Sequence, residues 1–397
     1  MHSSFESRVN AFPRNLARRP GVCLLGLANL PVLAEEFASL GVGGEQVQQT
    51  LIARALQKRG YEVSMVTYDH GQLDGQVWHG VKVYKAYRQN QGIRGLRYFH
   101  PRWTGLWSAL ARANADVYYT SCAGMEVGLA ALFCRFNRRG LVFRLASDSD
   151  ADPKRLLIRY AREKKLYEYG LRRADIVLSQ HDGQRESLLR NYARSSMVAD
   201  MLVESPSQEL TLDQRSIDVL WVSNIRNLKR PDLFLELASK IEGRVIHMVG
   251  GADSGNPHLY EKITQQSSCL KNFVFHGHVP YKDVGEIYDS SKVFVNTSEI
   301  EGFPNSFLQS WRRGIPVVSF FDPSGLIHRE KLGYIVRSIE EMRNAVIRLL
   351  TDVGEWHACS QRCRRYMQDH HSDDVVLSKY LEAISLASKI EALALVD

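Results

Sequence analysis

Short apolar runs rich in β-branched residues recur along this chain, and between them lie longer segments with apolar residues at helical spacing. Runs of that kind are strands buried on both faces, and their alternation with helices builds parallel sheets covered on each side. In the first half they begin near Val22 (VCLLGLA), Glu62 (EVSMVTY), Val81 (VKVYKA), Asp116 (DVYYTS), Leu141 (LVFRLAS) and Asp175 (DIVLSQ). In the second half they begin near Asp218 (DVLWVS), Arg244 (RVIHMVG), Asn272 (NFVFHGH), Lys292 (KVFVNTS), Pro316 (PVVSFF) and Tyr334 (YIV). Segments 44–59, 153–173, 230–241, 305–313 and 340–350 read as helices. The polar, aperiodic stretch 204–214, which carries Pro206, reads as a linker. At 397 residues the chain is too long for one ordinary core. It reads as α/β: two doubly wound, Rossmann-like domains, residues 1–205 and 206–373, facing a central cleft. Segment 374–395 reads as an amphipathic helix, and 374–397 is expected to pack back on the first domain.

Composition narrows what such a pair of domains does. No stretch of 18 apolar residues occurs, so no bilayer-spanning helix is expected. The first 20 residues carry Arg8, Arg14, Arg18 and Arg19 without the apolar run of a secretory signal. Six cysteines lie scattered without disulfide or zinc spacing, so reduced thiols and a cytoplasmic protein are expected. Charge is unevenly shared. Residues 1–205 hold 29 Lys and Arg against 19 Asp and Glu, a net +10; residues 206–397 hold 22 against 25, a net −3. A basic half attracts phosphorylated metabolites, nucleic acid or an anionic membrane. No recognition motif accompanies the charge, so nucleic acid is not expected as a partner. Residues 84–107 interleave Tyr84, Tyr87, Tyr98, Phe99, Trp103 and Trp107 with Arg88, Arg94, Arg97 and Arg102, and Arg155 to Arg173 add a second basic run. Together they suit peripheral attachment to the inner face of an anionic membrane, or aromatics in the core with arginines outside.

Three stretches carry chemistry. Gly41-Val42-Gly43-Gly44 opens a helix after the first strand. Glycines there let backbone N–H groups approach an anion, although a turn needing positive φ would use them equally. Ser223 to Asp232 (SNIRNLKRPD) follows a strand and precedes a helix begun by Pro231, so Arg226, Lys229 and Arg230 stand where cations neutralise a departing diphosphate. As surface residues they would be unremarkable. The strongest stretch is Thr297 to Val318 (TSEIEGFPNSFLQSWRRGIPVV): strand, loop with Gly302 and Pro304, helix, return. Glu301 on the loop and Gln309 two turns into the helix can hydrogen-bond sugar hydroxyls, and the N–H groups of Gly302 to Asn305 can hold a phosphate.

EGFPNSFLQSWRRGIPVV resembles the Glu-x7-Glu region of family 4 of the retaining glycosyltransferases, usually EGFPNxxLEAMAxGxPVV. The glycine loop, ADIVLSQHDGQRESL, IRNLKRPDLFLELA and FHGHVP fall in the same order, so the likeness spans most of residues 20–350. It implies the GT-B fold and transfer of a sugar from a nucleotide-diphosphate-sugar to a glycan or lipid-linked acceptor. Surface polysaccharide or glycolipid biosynthesis is the implied context. It also implies site residues: catalytic Glu301 and Lys229, with Gly43, Gly44, Asn224, Arg226, His278, Gly302, Phe303, Pro304, Asn305, Ser306 and Gln309 around the donor.

Three departures stand out. The second motif glutamate is Gln309, the arginine five positions before Lys229 is Asn224, and a frequent histidine after the strand Leu141–Ala146 gives way to Ser147 and Asp148. Asp148 is therefore a third candidate catalytic residue, in contact with acceptor or donor sugar, or else a turn residue. Asp148, Asp150 and Asp152 resemble an Asp-x-Asp metal site, but Pro153 and a basic segment follow, so no metal and no cofactor are expected. No carboxylate stands out as a nucleophile, which favours same-face attack. The alternative is a catalytically silent nucleotide-sugar-binding or scaffold protein of the same fold. A dinucleotide-dependent oxidoreductase is excluded, because CLLGLANLPVL lacks the G-x-G-x-x-G turn.

Overall fold

The computed structural model describes residues 19–39, 42–93, 96–253, 256–298 and 303–394. Its first sheet comprises β1 (Val22–Leu25), β2 (Val63–Thr67), β3 (Gln76–Trp78), β4 (Val81–Lys85), β5 (Val117–Ser121), β6 (Gly140–Arg144), β7 (Ile176–Ser179) and β8 (Met197–Val198). They lie in the order β3-β4-β2-β1-β5-β6-β7-β8, parallel except for the β3–β4 pair. A second sheet comprises β9 (Ile217–Val222), β10 (Ile246–Val249), β11 (Phe273–Phe275), β12 (Ser291–Asn296), β13 (Val317–Ser319) and β14 (Gly333–Ile335). Its order is β11-β10-β9-β12-β13-β14, all parallel.

These orders follow from the sequence pattern. Every residue of β1, β2 and β6 is buried, as strands between two helical layers must be. In each sheet the chain winds outward from a central strand and then restarts on its other side. The reversal falls between β1 and β5 in one sheet and between β9 and β12 in the other. Loops diverge at such a reversal, and the crevice left at the carboxyl edge is where doubly wound sheets bind ligands.

The helices that build the cleft and its supports are α1 (Gly44–Lys58), α2 (Met125–Asn137), α3 (Ala161–Arg173), α4 (Asp182–Tyr192), α5 (Pro231–Ser239), α6 (Asn305–Arg312), α7 (Val353–His371) and α8 (Asp373–Ala394). The chain passes from β8 to β9 through segment 199–216. Asp289 and two arginines anchor that segment: Asp289 accepts from Ser207 Oγ at 2.5 Å and Arg313 Nε at 2.6 Å, and Arg215 donates to the carbonyls of Ser291 and Arg313 at 2.7 Å. Helix α8 returns to the first sheet. Its Val376, Leu377, Tyr380, Ala383, Ile384 and Ala387 share one core cluster with Val22, Leu24, Val117, Tyr119, Val142 and Leu178.

Two details differ from the sequence reading. The helix expected over 153–173 begins only at Ala161. Asp152 Oδ1 takes the amide of Lys154 at 2.9 Å, which spends the first turn locally. Beyond it Leu156 and Ile158 pack inward while Leu157 is 88% exposed, the alternation of extended backbone and not of a helix. Strands β3 and β8 are absent from that reading, since two or three edge residues, none of them buried, leave no apolar run to read.

Helices α2 and α3 cross at touching distance. A Cβ on Gly170 would lie 2.6 Å from the amide of Gly128, and one on Gly128 would collide with the carbonyl of Leu166. Gly170→Ala therefore forces the helices apart. We expect a loss of at least ~2 kcal/mol, read as a lower denaturant midpoint with unchanged m-value.

Candidate active site

At the carboxyl edge of the first sheet, β1 leads through a loop to the entrance of α1. Gly43 is extended there and its amide donates to Gln46 Oε1 at 2.9 Å. Glu45, in the first turn, accepts from Ser121 Oγ at the end of β5, and Gln49, one turn on, donates to the same hydroxyl. Asn29 Nδ2 donates in turn to Gln49 Oε1 at 2.8 Å. Beneath Glu45, at the end of β6, lies Arg144, which is 0% exposed, with Nη1 3.6 Å from Glu45 Oε2. None of its guanidinium nitrogens finds a hydrogen-bond partner among the described residues. Burial raises the Glu45 carboxyl above its ordinary range, and Arg144 and Ser121 pull it back only in part.

The second sheet contributes the opposite wall. After β9, Asn224 Nδ2 reaches the carbonyl of Val42 in the glycine loop at 3.3 Å. Arg226 pairs with Asp253 at 3.4 Å, and Arg230 grips Asp232. Lys229 ends a short 3-10 turn, Asn227–Lys229, whose last carbonyl accepts from Thr297 Oγ1 at 2.8 Å. Thr297 also takes the Trp221 indole N–H at 3.0 Å, so the basic loop is fastened to the end of β12. Helix α6 begins at Asn305 behind buried Pro304. Asn305 meets the first wall directly: Gln48 Nε2 donates to its Oδ1 at 3.1 Å, and a Cβ on Gly44 would strike its Nδ2. At the outer lip His278 Nε2 lies 3.2 Å from the carbonyl of Ala38, and Lys282 pairs with Glu35 at 3.0 Å.

The three aspartates after β6 do not converge. Asp148 Oδ1 is held at 3.0 Å by both His181 Nε2 and Gln184 Nε2, from the entrance of α4. Burial pushes the Asp148 carboxyl up, but these hydrogen bonds outweigh it and the net shift is downward, so the group stays ionised with 43% of its side chain exposed. Asp150 turns inward to the amides of Ala146 and Ser147, and Asp152 to that of Lys154. No group of three or more His, Cys, Asp or Glu among the described residues is arranged to hold a metal ion.

Two facing reversal points, each with a helix entrance and one with a basic loop, suit group transfer between bound molecules, and the family models agree. The glycosyl transferase 4-like domain matches residues 43–199, and the glycosyl transferases group 1 domain matches 216–352, together well over half of the chain. The chain belongs to the group 1 glycosyltransferases. It is an enzyme, and its architecture is the GT-B fold. HepE of Anabaena, solved with UDP and glucose, superposes with a TM-score of 0.70 at 16% identity over 92% of this chain and 100% of that one. Sucrose-phosphate synthase of Thermosynechococcus elongatus gives 0.70 at 17% identity, over 92% and 98%. WaaG, a glycosyltransferase involved in lipopolysaccharide biosynthesis, gives 0.66 at 15%, over 91% and 99%. At such identities these likenesses concern the fold. No curated protein matches the sequence.

In this glycosyltransferase the candidates read from the sequence are placed in different ways. Gly43, Gly44, Asn224, Lys229 and Asn305 meet or flank one another across the cleft, with His278 at its lip. Phe303 packs edge-on to Trp311 and against His371, while Ser306 and Gln309 lie half-buried on α6. Arg226, a candidate replacement for the missing arginine, is engaged by Asp253. Glu301 and Gly302 lie outside the described residues. Sequence reading passes over Glu45, Ser121, Arg144, His181 and Gln184. Glu45 has one available signal, as the acidic residue directly after the glycine pair; Arg144 sits in an apolar run that reads only as strand.

Asp150 provides a test of this packing. Burial raises its carboxyl to about 6 despite the amides that favour the ionised form. The native state therefore keeps a proton that the unfolded chain releases near pH 4, and stability falls as pH rises from about 4 to about 6. Asp150→Asn keeps an acceptor for both amides and removes that decline, up to ~3 kcal/mol for a shift of about two units. Melting temperatures from pH 4 to 7 should be flatter for the variant than for the wild type.

Proposed function

We propose that this glycosyltransferase transfers a sugar, with retention of anomeric configuration and without a metal ion, from a nucleotide-diphosphate-sugar to a glycan or lipid-linked acceptor. The observation that carries the reading is the meeting of two helix entrances, Gly43–Gly44 of α1 and Asn305 of α6, with the Lys229 loop beside them. Helix N-termini present unpaired N–H groups and a positive dipole end, so two of them plus a lysine offset the charge of a diphosphate. HepE, of the same fold, holds UDP and glucose. On this reading Gly43, Gly44, Asn224, Lys229, Gly302, Phe303, Pro304, Asn305 and Ser306 surround the diphosphate and sugar, Glu301 takes the transferred sugar's hydroxyls, Gln309 the ribose, and His278 flanks the base. The ionised Asp148, steadied by His181 and Gln184, faces acceptor or donor hydroxyls.

In same-face attack the bond from the anomeric carbon to the diphosphate oxygen breaks with its electron pair going to the phosphate. The acceptor oxygen bonds to that carbon, and the acceptor's proton passes to the departing phosphate. The setting we propose is cytoplasmic synthesis of a surface polysaccharide or glycolipid at the inner face of an anionic membrane. Ile93, Leu96, Phe99 and Leu157 are exposed within the two basic stretches, and Arg162 stacks on Tyr98 at 4.5 Å and on Tyr160 at 5.3 Å, with Arg159 over Tyr160 as well. Tyr87 and Tyr98 are buried, and Tyr84, Trp103 and Trp107 pack against the same core, so Ile93, Leu96, Phe99 and Leu157 carry the apolar part of this surface. No helix among the described residues is long and apolar enough to cross a membrane.

Calorimetry and thermal shift with UDP, GDP, ADP, CMP and their sugars, with and without EDTA, test the donor site. One nucleotide should stabilise the protein regardless of EDTA, and Lys229→Ala should weaken it about tenfold. Binding by none of them removes the reading, and loss of binding in EDTA removes its metal-free part. For the membrane, sedimentation with phosphatidylglycerol vesicles at low salt should bring the protein down, and Leu157→Glu should leave it in solution. A wild-type protein that stays in the supernatant ends that part of the proposal.

A further inference from the structure

The reversal point of the first sheet holds a carboxylate to which the proposed donor site gives no task. Glu45 stands in the first turn of α1, directly after the two glycines and one residue from the contact between Gly44 and Asn305. Its side chain is 14% exposed at the carboxyl edge of the first sheet, fixed by Ser121 and backed by wholly buried Arg144. A buried ion pair costs about as much in desolvation as it returns, so packing alone gives no reason for one here. What the pair does provide is a single carboxylate fixed in place, with a cation behind it that opposes the protonation burial favours. If the donor diphosphate rests on the entrance of α1, as proposed, the acceptor in a same-face reaction arrives on that side of the sugar, where Glu45 is.

We propose that Glu45 is a catalytic residue that accepts a hydrogen bond from the incoming acceptor hydroxyl and aims its oxygen at the anomeric carbon, and that Arg144 is a positioning residue keeping Glu45 in place and ionised. The proton still leaves on the diphosphate, so Glu45 ends the reaction as it began, a carboxylate. The groups around it come from every neighbouring element: Arg144 from β6, Tyr119 from β5, Cys122 just beyond β5, Asp150 from the turn after β6, and Tyr380 from α8. Of these charged and titratable groups Arg144 alone favours the charged form, with hydrogen bonds from Ser121 and Gln49 beside it, while burial and Asp150 oppose it. Activity should therefore fail as acid protonates Glu45, and losing Arg144 should bring that failure on at higher pH.

The test is hydrolysis of UDP-glucose, with water as acceptor (GDP-mannose if the nucleotide panel selects GDP), measured against pH beside calorimetric affinity for the matching nucleoside diphosphate. Glu45→Gln should lower kcat roughly 100-fold and remove the acidic limb, with nucleotide affinity kept within about threefold. Arg144→Met should shift that limb upward. Should either single variant fail to fold, the Glu45→Gln/Arg144→Met pair, which buries no lone charge, should show the low kcat without the limb. The proposal falls if Glu45→Gln, or the pair, keeps wild-type kcat and limb. It falls too if nucleotide affinity drops in step with kcat, because Glu45 would then only brace α1. A wild-type protein that binds none of these nucleotides overturns the donor reading itself, and this inference with it.

Discussion

All strands of the two sheets except β3 run in the same direction as their neighbours, and that one constraint organises the molecule. Parallel strands need a crossover after each one, so every strand-to-helix loop, and every helix entrance, emerges at the same edge. Backbone N–H groups left unpaired at those entrances accumulate on one side of each sheet. When two such edges face each other, as at Gly44 and Asn305, the gap between them attracts anions before any charged side chain is counted. Lys229, Asn224 and Glu45 refine a field that the topology has already set up.

Much of this was legible in the sequence, and what was missed has physical reasons. Runs such as VCLLGLA and KVFVNTS announce buried strands, because a strand covered on both faces admits few polar residues. The helix entrances at Pro231 and Asn305 were legible as well, since glycine and proline between a strand and a helical pattern mark a turn into a helix. Arg144 was not legible. Its charge lies at the end of a strand-like run, and its role depends on Glu45, far earlier in sequence, a pairing that only the sheet order creates. His181 was missed for a similar reason: it belongs to the end of β7 but serves Asp148 at the end of β6. The helix expected to start at Pro153 failed because Asp152 turns the backbone first, a local hydrogen bond that periodicity does not register.

Contacts between the two sheets are unequal in kind. On one side the chain crosses between them twice, and the crossings are tied together: His371 Nδ1 lies 3.4 Å from the carbonyl of Met201, and Tyr380 donates to that of Asp200 at 2.9 Å. Both joins are buried or partly so. On the cleft side the links among the described residues are single hydrogen bonds from Asn224, Gln48 and His278 and an exposed pair, Lys282 with Glu35. Exposed pairs of that kind contribute little. The molecule is thus firm at its back and lightly fastened at its mouth, and His371, in contact with both Met201 and Phe303, joins the firm side to the entrance of α6.

The return of α8 to the first sheet also orders events during synthesis. Tyr380 lies 180 residues beyond Asp200, with the whole second sheet made in between. Until α8 leaves the ribosome, the face of β1, β5, β6 and β7 that it covers, including Val22, Val117 and Val142, stays open to water. A domain begun first is therefore finished last. The growing chain carries an uncovered apolar face while the 180 residues from Asp200 to Tyr380 are made, the interval in which a chaperone or a neighbouring nascent chain can reach it.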